Sequence, residues 1–151
     1  MTGVQTCALP ICTVATATID VAGPLGSLRA GTLDGVRISA SNIGNARIGS
    51  LKNSLIAAGY AATNPNEPMG GGTFTGGSIG ALKVSSLAGS TIAAAQIGSV
   101  KLGSVVTDNA GHAFGVLARD GIASVKASQP KFTWIASGAA DQAAGDFHVK
   151  H

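Results

Sequence analysis

The side chains that could do chemistry are distributed very differently by sign. The acids are Asp20, Asp34, Glu67, Asp108, Asp120, Asp141 and Asp146, seven in a chain of 151 residues. No pair of the kind that works as general acid and base on a glycosidic bond emerges from them. Asp108, Asn109, His112 and Asp120 are the one dense polar group. To serve as a metal or acid-base site they would have to converge in space; otherwise they do loop and turn duty. Gly70 to Gly72 lacks the Lys and Ser/Thr of a phosphate loop and reads as flexible loop. No catalytic residue, metal or cofactor is expected.

The bases are ordered. Arg29, Arg47, Lys83, Lys101 and Lys126 are half of the ten lysines and arginines, and each stands fifth in a recurring phrase. The phrases are Leu25-Gly-Ser-Leu-Arg29, Ile43-Gly-Asn-Ala-Arg47, Ile79-Gly-Ala-Leu-Lys83, Ile97-Gly-Ser-Val-Lys101 and a weaker Ile122-Ala-Ser-Val-Lys126. The first four begin 18, 36 and 18 residues apart, so most of the chain is a repeat.

Something must position that residue in every copy. Counting from the first residue of each phrase, position 4 is Leu28, Ala46, Leu82 or Val100 and position 6 is Ala30, Ile48, Val84 or Leu102. Apolar side chains flanking a base have the period of a short strand with one buried face, which turns position 5 outward. Strands this short cannot stand alone. Stacked coils about 4.8 Å apart would pair their backbones and pile like residues into one interior. Position 9 (Leu33, Leu51, Leu87, Val105) and position 14 (Ile38, Ile56, Ile92) extend that interior. Gly at position 2 suits a tight corner, and Ser50, Ser86 and Ser104 at position 8 suit a column of hydroxyls at a bend.

The expected fold is therefore all-β, a right-handed parallel β-helix with coils of about 18 residues or more. A left-handed helix of hexapeptides would repeat its apolar positions every six residues, and Gly49, Ser85 and Thr91 break that pattern. Residues 60–77, rich in Pro, Asn and Gly, read as a loop thrown out of one coil, after which the helix resumes in register. Thr13 to Ala22 reads as a strand, Asp120-Gly121 as a turn, and Lys131 to Ile135 and Asp146 to Lys150 as two more short strands, with no polar cap at either end.

Two resemblances bear on origin. Residues 1–11, Met1-Thr-Gly-Val-Gln-Thr-Cys-Ala-Leu-Pro-Ile11, resemble a conceptually translated sequencing adapter, which implies a non-native leader and removes Cys7 from any redox argument. Cys12 alone makes neither an intrachain disulfide nor a metal site and leaves the redox compartment open. Residues 12–150 are the β-helix fragment. Its phrases, together with Ser54-Leu-Ile-Ala-Ala-Gly59 and Ser90-Thr-Ile-Ala-Ala-Ala95, resemble large secreted or surface-anchored repeat proteins of environmental, planctomycete-like bacteria. The resemblance implies a parallel β-helical body and an extracellular or cell-surface location.

The expected function is a non-catalytic structural or adhesion-like segment of an exported repeat protein. One alternative is a polyanion- or carbohydrate-binding module, with Arg29, Arg47, Lys83, Lys101 and Lys126 drawing an acidic polysaccharide or cell-wall polymer to their column. Duplication of a solvent-facing base would leave the same pattern without a ligand. A second alternative is a fragment of a polysaccharide lyase or hydrolase. Nucleic acid is not expected, since the column has no interleaved aromatics for bases to stack on. Nor is a transmembrane segment, because the apolar run from Cys7 to Ile19 is too short and ends at Asp20.

Overall fold

The computed structural model describes residues 11–135 and 140–151. The adapter-like segment therefore lies, up to Pro10, outside the described residues. The chain forms β1 (Ile11–Ala15), β2 (Thr18–Asp20), β3 (Leu25–Asp34), β4 (Arg37–Ala40), β5 (Ile43–Lys52), β6 (Leu55–Ala58), β7 (Tyr60–Ala62), β8 (Gly72–Phe74), β9 (Ser78–Ala88), β10 (Thr91–Val106), β11 (Phe114–Gln129), β12 (Phe132–Ile135), β13 (Gln142–Ala144) and β14 (Phe147–Lys150). These wind into a parallel β-helix of about five turns. One face runs β1-β3-β5-β9-β10-β11, and another runs β2-β4-β6-β10-β11-β14, with β10 and β11 long enough to serve both.

The repeat sets the register. Leu25 pairs with Ile43, Ile43 with Ile79, Ile79 with Ile97 and Ile97 with Ile122, so each phrase lies on the one before it. Leu28, Ala46, Leu82, Val100 and Val125 accordingly form one buried column, and Leu33, Leu51 and Leu87 another. In β5 the buried positions are 1, 4, 6 and 9. Strict alternation is thus broken twice per coil, and a strand that keeps its apolar side inward across a three-residue step has to bend there.

Glycine at position 2 has a different reason from the one expected. Gly44 and Gly80 do not have the positive φ that would mark a corner only glycine can turn. A Cβ on Gly44 would instead stand 2.5 Å from the carbonyl oxygen of Gly26 in the coil before, and one on Gly80 would stand 2.5 Å from that of Gly44. The residue is small because the neighbouring coil's backbone is close.

Because β5 pairs directly with β9, the stack passes over residues 60–77. That excursion is a built arm rather than a bare loop. β7 and β8 pair antiparallel, Tyr60 opposite Phe74 with ring centroids 4.6 Å apart, and a 3-10 turn at Pro68–Gly70 closes the end. Tyr60 Oη donates to the Pro68 carbonyl (2.6 Å). The arm folds onto the outside of the stack, where Leu55, Ala57, Tyr60 and Ala93 make a second buried cluster with Phe74 and Leu117 against it. This explains why all four residues of β6 are buried: Ile56 and Ala58 face the core, while Leu55 and Ala57 face the arm.

The other departures lie at the ends. Thr13 to Ala22 is two strands, β1 and β2, broken at Thr16, whose φ is 49°. Asp120-Gly121 is an irregularity inside β11: Ala94 faces Ala118 but Gln96 faces Gly121, so β11 carries one extra residue there. At the C-terminal end β12 runs antiparallel to β11 and β13 antiparallel to β14. Buried Trp134, Phe114 and Phe147 fill this end, with Phe132 and Phe114 both edge-on to Phe147 at 5.6 and 5.7 Å. The closure is apolar, made of large rings where the inner coils use Leu, Ile, Val and Ala.

Candidate functional site: a bare basic face

The position-5 residues lie in one unbroken column. Arg29 pairs with Arg47, Arg47 with Lys83, Lys83 with Lys101 and Lys101 with Lys126. The inward-facing neighbours at positions 4 and 6, all buried but the half-buried Ala30, turn all five side chains outward, and all five are exposed. Among the described residues the ion pairs are His112–Glu67, Arg119–Asp120 and His151–Asp141, so no carboxylate is paired with any member of the column.

The surroundings are equally one-sided. None of the five stretches 25–33, 43–51, 79–87, 97–105 and 122–130 contains Asp, Glu, Phe, Tyr or Trp. On one flank Ser27, Asn45, Ala81, Ser99 and Ser124 stand in register; on the other Thr32, Ser50, Ser86, Ser104 and Gln129 do. The position-8 serines are thus stacked, and Ser104 Oγ donates to the Ser85 carbonyl of the coil before (3.4 Å). The face is a ridge of positive charge between two strips of small, mostly polar side chains. Neighbouring unit charges one rung apart repel by roughly 0.9 kcal/mol in water before salt screening, using a rung of about 4.8 Å. A polyanion laid along the ridge would relieve that repulsion at every rung.

The dense polar group does not converge as a site: Asp108, Asn109 and His112 stay in one turn and Asp120 is held elsewhere. Asp108 Oδ1 accepts from the Ala110 N–H (3.1 Å), and Asn109 Nδ2 donates to the His112 carbonyl (2.9 Å), both turn contacts. His112 lies 3.6 Å from Glu67 on the arm. Asp120 is held by Arg119 through two bonds of 2.6 and 2.7 Å, and this pairing draws its carboxyl below the ordinary value. Arg119 also donates to the Phe74 carbonyl (3.3 Å) and lies 5.9 Å from the Phe74 ring centroid, so the pair anchors the arm. No three His, Cys, Asp or Glu among the described residues are grouped as metal ligands would be.

Asp146 organises the loop that contains Asp108. Its carboxylate accepts from the N–H groups of Asn109 (2.6 Å) and Gly111 (3.0 Å), and these two bonds hold its titration below the usual carboxylate range. A buried serine column was not read from the sequence. Ser54 Oγ accepts from the Val36 N–H (3.0 Å), and Ser90 Oγ accepts from the Ser54 N–H (3.1 Å). The signal was available, since Val36, Ser54 and Ser90 all occupy position 12 of their coils. Between arm and coil a cleft of about 480 Å³ is lined by Arg37, Asn53, Asn66, Asn109 and His112, with Arg37 Nη2 donating to the Pro65 carbonyl (3.0 Å).

Among the described residues no helix is long and apolar enough to cross a membrane. Comparison of the chain with protein-family models, with curated proteins and with solved structures gives no match.

Proposed function

We propose that this chain is a non-catalytic, adhesion-like segment of an exported or surface-displayed bacterial repeat protein, and that it attaches to acidic polysaccharide or cell-wall polymer along its basic face. The reading rests on one observation: five cations occupy consecutive rungs of a single exposed ladder, each in a nine-residue stretch without a carboxylate. Repulsion between fixed charges of one sign is relieved by a partner whose charges also repeat along a line. The strips of Ser, Thr and Asn beside the ridge offer hydroxyl and amide groups to sugar hydroxyls. The exported origin rests on the resemblance of the repeat phrases to secreted surface proteins.

The test is retention on immobilised polygalacturonate as salt is raised. Wild type is retained at low salt and released as salt screens the ridge. Lys83→Glu with Lys101→Glu reverses the two adjacent central rungs and abolishes retention, with the folded state checked by circular dichroism. Equal retention of wild type and the double variant rules out the ladder as the contact. Wild type that is not retained leaves a structural scaffold whose basic residues were copied by duplication. A lyase or hydrolase would announce itself by unsaturated or shortened sugars in the flow-through.

A further inference from the structure

The column does not end evenly. At its C-terminal end β12 turns back antiparallel on β11 and sets Thr133 opposite Lys126. The connection between those strands carries Lys131, and a pocket of about 450 Å³ opens there. Lys101, Lys126, Lys131, Ser128 and Thr133 supply its polar wall. Along the rest of the ladder a bound group meets cations above and below it; here a third lysine, Lys131, lines the same pocket as Lys101 and Lys126. No carboxylate lines the pocket.

We infer that this three-lysine pocket takes a tetrahedral oxyanion, a phosphate or sulfate ester carried on the acidic polymer, and so selects phosphorylated or sulfated chains over uronate chains. The inference rests on the polymer-binding reading of the column. A carboxylate spreads one charge over two coplanar oxygens, for which the planar guanidinium forks of Arg29 and Arg47 at the other end of the ladder are the better match. A phosphate or sulfate group presents three oxygens in different directions. Three flexible ammonium groups lining one pocket, with rotatable hydroxyls at Ser128 and Thr133, can meet all three at once. The ladder is thereby graded, from guanidinium forks at one end to clustered point charges at the other.

The experiment compares three labelled polymers, dextran sulfate, dextran phosphorylated as monoesters and polygalacturonate, binding to the full chain at low salt. The variants are Lys131→Gln, which touches only the pocket, and Lys83→Gln, which lies on the ladder next to Lys101 and outside the pocket lining. Lys131 is exposed, so its replacement leaves the core untouched. Lys131→Gln weakens dextran sulfate and phosphorylated dextran by about fivefold and leaves polygalacturonate within about twofold, whereas Lys83→Gln weakens all three. Thr133→Val shifts binding in the same selective direction as Lys131→Gln. If dextran sulfate responds and phosphorylated dextran does not, the ester is sulfate; the converse assigns phosphate. Uniform weakening by Lys131→Gln, or none, overturns the pocket while leaving the ladder standing. Wild type that binds none of the polymers overturns both.

Discussion

Two faces of the same stack carry the same coil period and have opposite exteriors. On the face of β6 and the first half of β10, the outward positions hold Leu55, Ala57, Thr91 and Ala93, and all are buried. On the face of β5, β9 and the second half of β10, the outward positions hold Arg47, Lys83 and Lys101, all exposed. The interior does not distinguish them, since Ile56 and Ile92 behind one face are as buried as Leu51 and Leu87 behind the other. What distinguishes them is the arm of residues 60–77, which covers the first face and leaves the second open. A solenoid coil specifies its inside by repetition, and each outside is then free to take whatever meets it.

The sharpest way to break this comparison is to place one charge on each face. Ala57→Asp puts a carboxylate into the apolar cluster between sheet and arm; a loss of about 3 kcal/mol or release of the arm is expected. Urea denaturation reads the first and limited proteolysis within residues 61–74 reads the second. Ala81→Asp, beside the ladder on the open face, stays within about 0.5 kcal/mol of wild type and weakens polygalacturonate retention. Equal costs for the two would show that the arm does not shelter the first face.

A smaller effect tests the corner common to both faces. Ser54→Ala leaves the buried Val36 N–H without its acceptor and is expected to lower stability by about 1–3 kcal/mol in urea. The outcome should be independent of salt, unlike any effect on the ladder. The smallest effect concerns acid. The Asp146 carboxyl titrates below its ordinary value because it accepts the Asn109 and Gly111 N–H bonds. Its contribution is therefore fully present above the ordinary range near pH 4 and is lost as pH falls through the lower folded value. Amide exchange in residues 107–113 should accelerate over that window in wild type. Asp146→Asn, with no carboxylate to protonate, should show a flatter profile there.

The repeating part of this molecule was legible because its period and its side-chain alternation agree. Leu28, Leu82 and Val100 could be assigned to one column from spacing alone, and the outward turn of Arg29 through Lys126 followed from their apolar neighbours. The arm was legible as an excursion and illegible as a hairpin. β7 and β8 have three residues each, too few for a period to show, and their pairing depends on Tyr60 meeting Phe74 across a gap in sequence. The same limit hid the reversal of β12, since a strand's direction leaves no mark on alternation. Gly44 and Gly80 were identified as special for the wrong cause, because crowding by an adjacent coil and a positive φ both ask for glycine. The absence of acids from the stretches that carry the ladder, by contrast, stands in the sequence once the five nine-residue stretches are aligned.

The continuity of the ladder across the excursion is the point on which the account turns, and crosslinking tests it directly. In a background with Cys7→Ser and Cys12→Ser, Arg47→Cys and Lys83→Cys lie 36 residues apart in sequence and opposite one another in the sheet. Their Cα atoms, one rung of about 4.8 Å apart, are within the span a short bis-thiol reagent or a disulfide bridges. Rapid intramolecular crosslinking of the native chain, lost in urea, is the predicted result. A native chain that crosslinks no faster than the unfolded one would mean that the two residues are not neighbours, and the ladder would be broken at its centre.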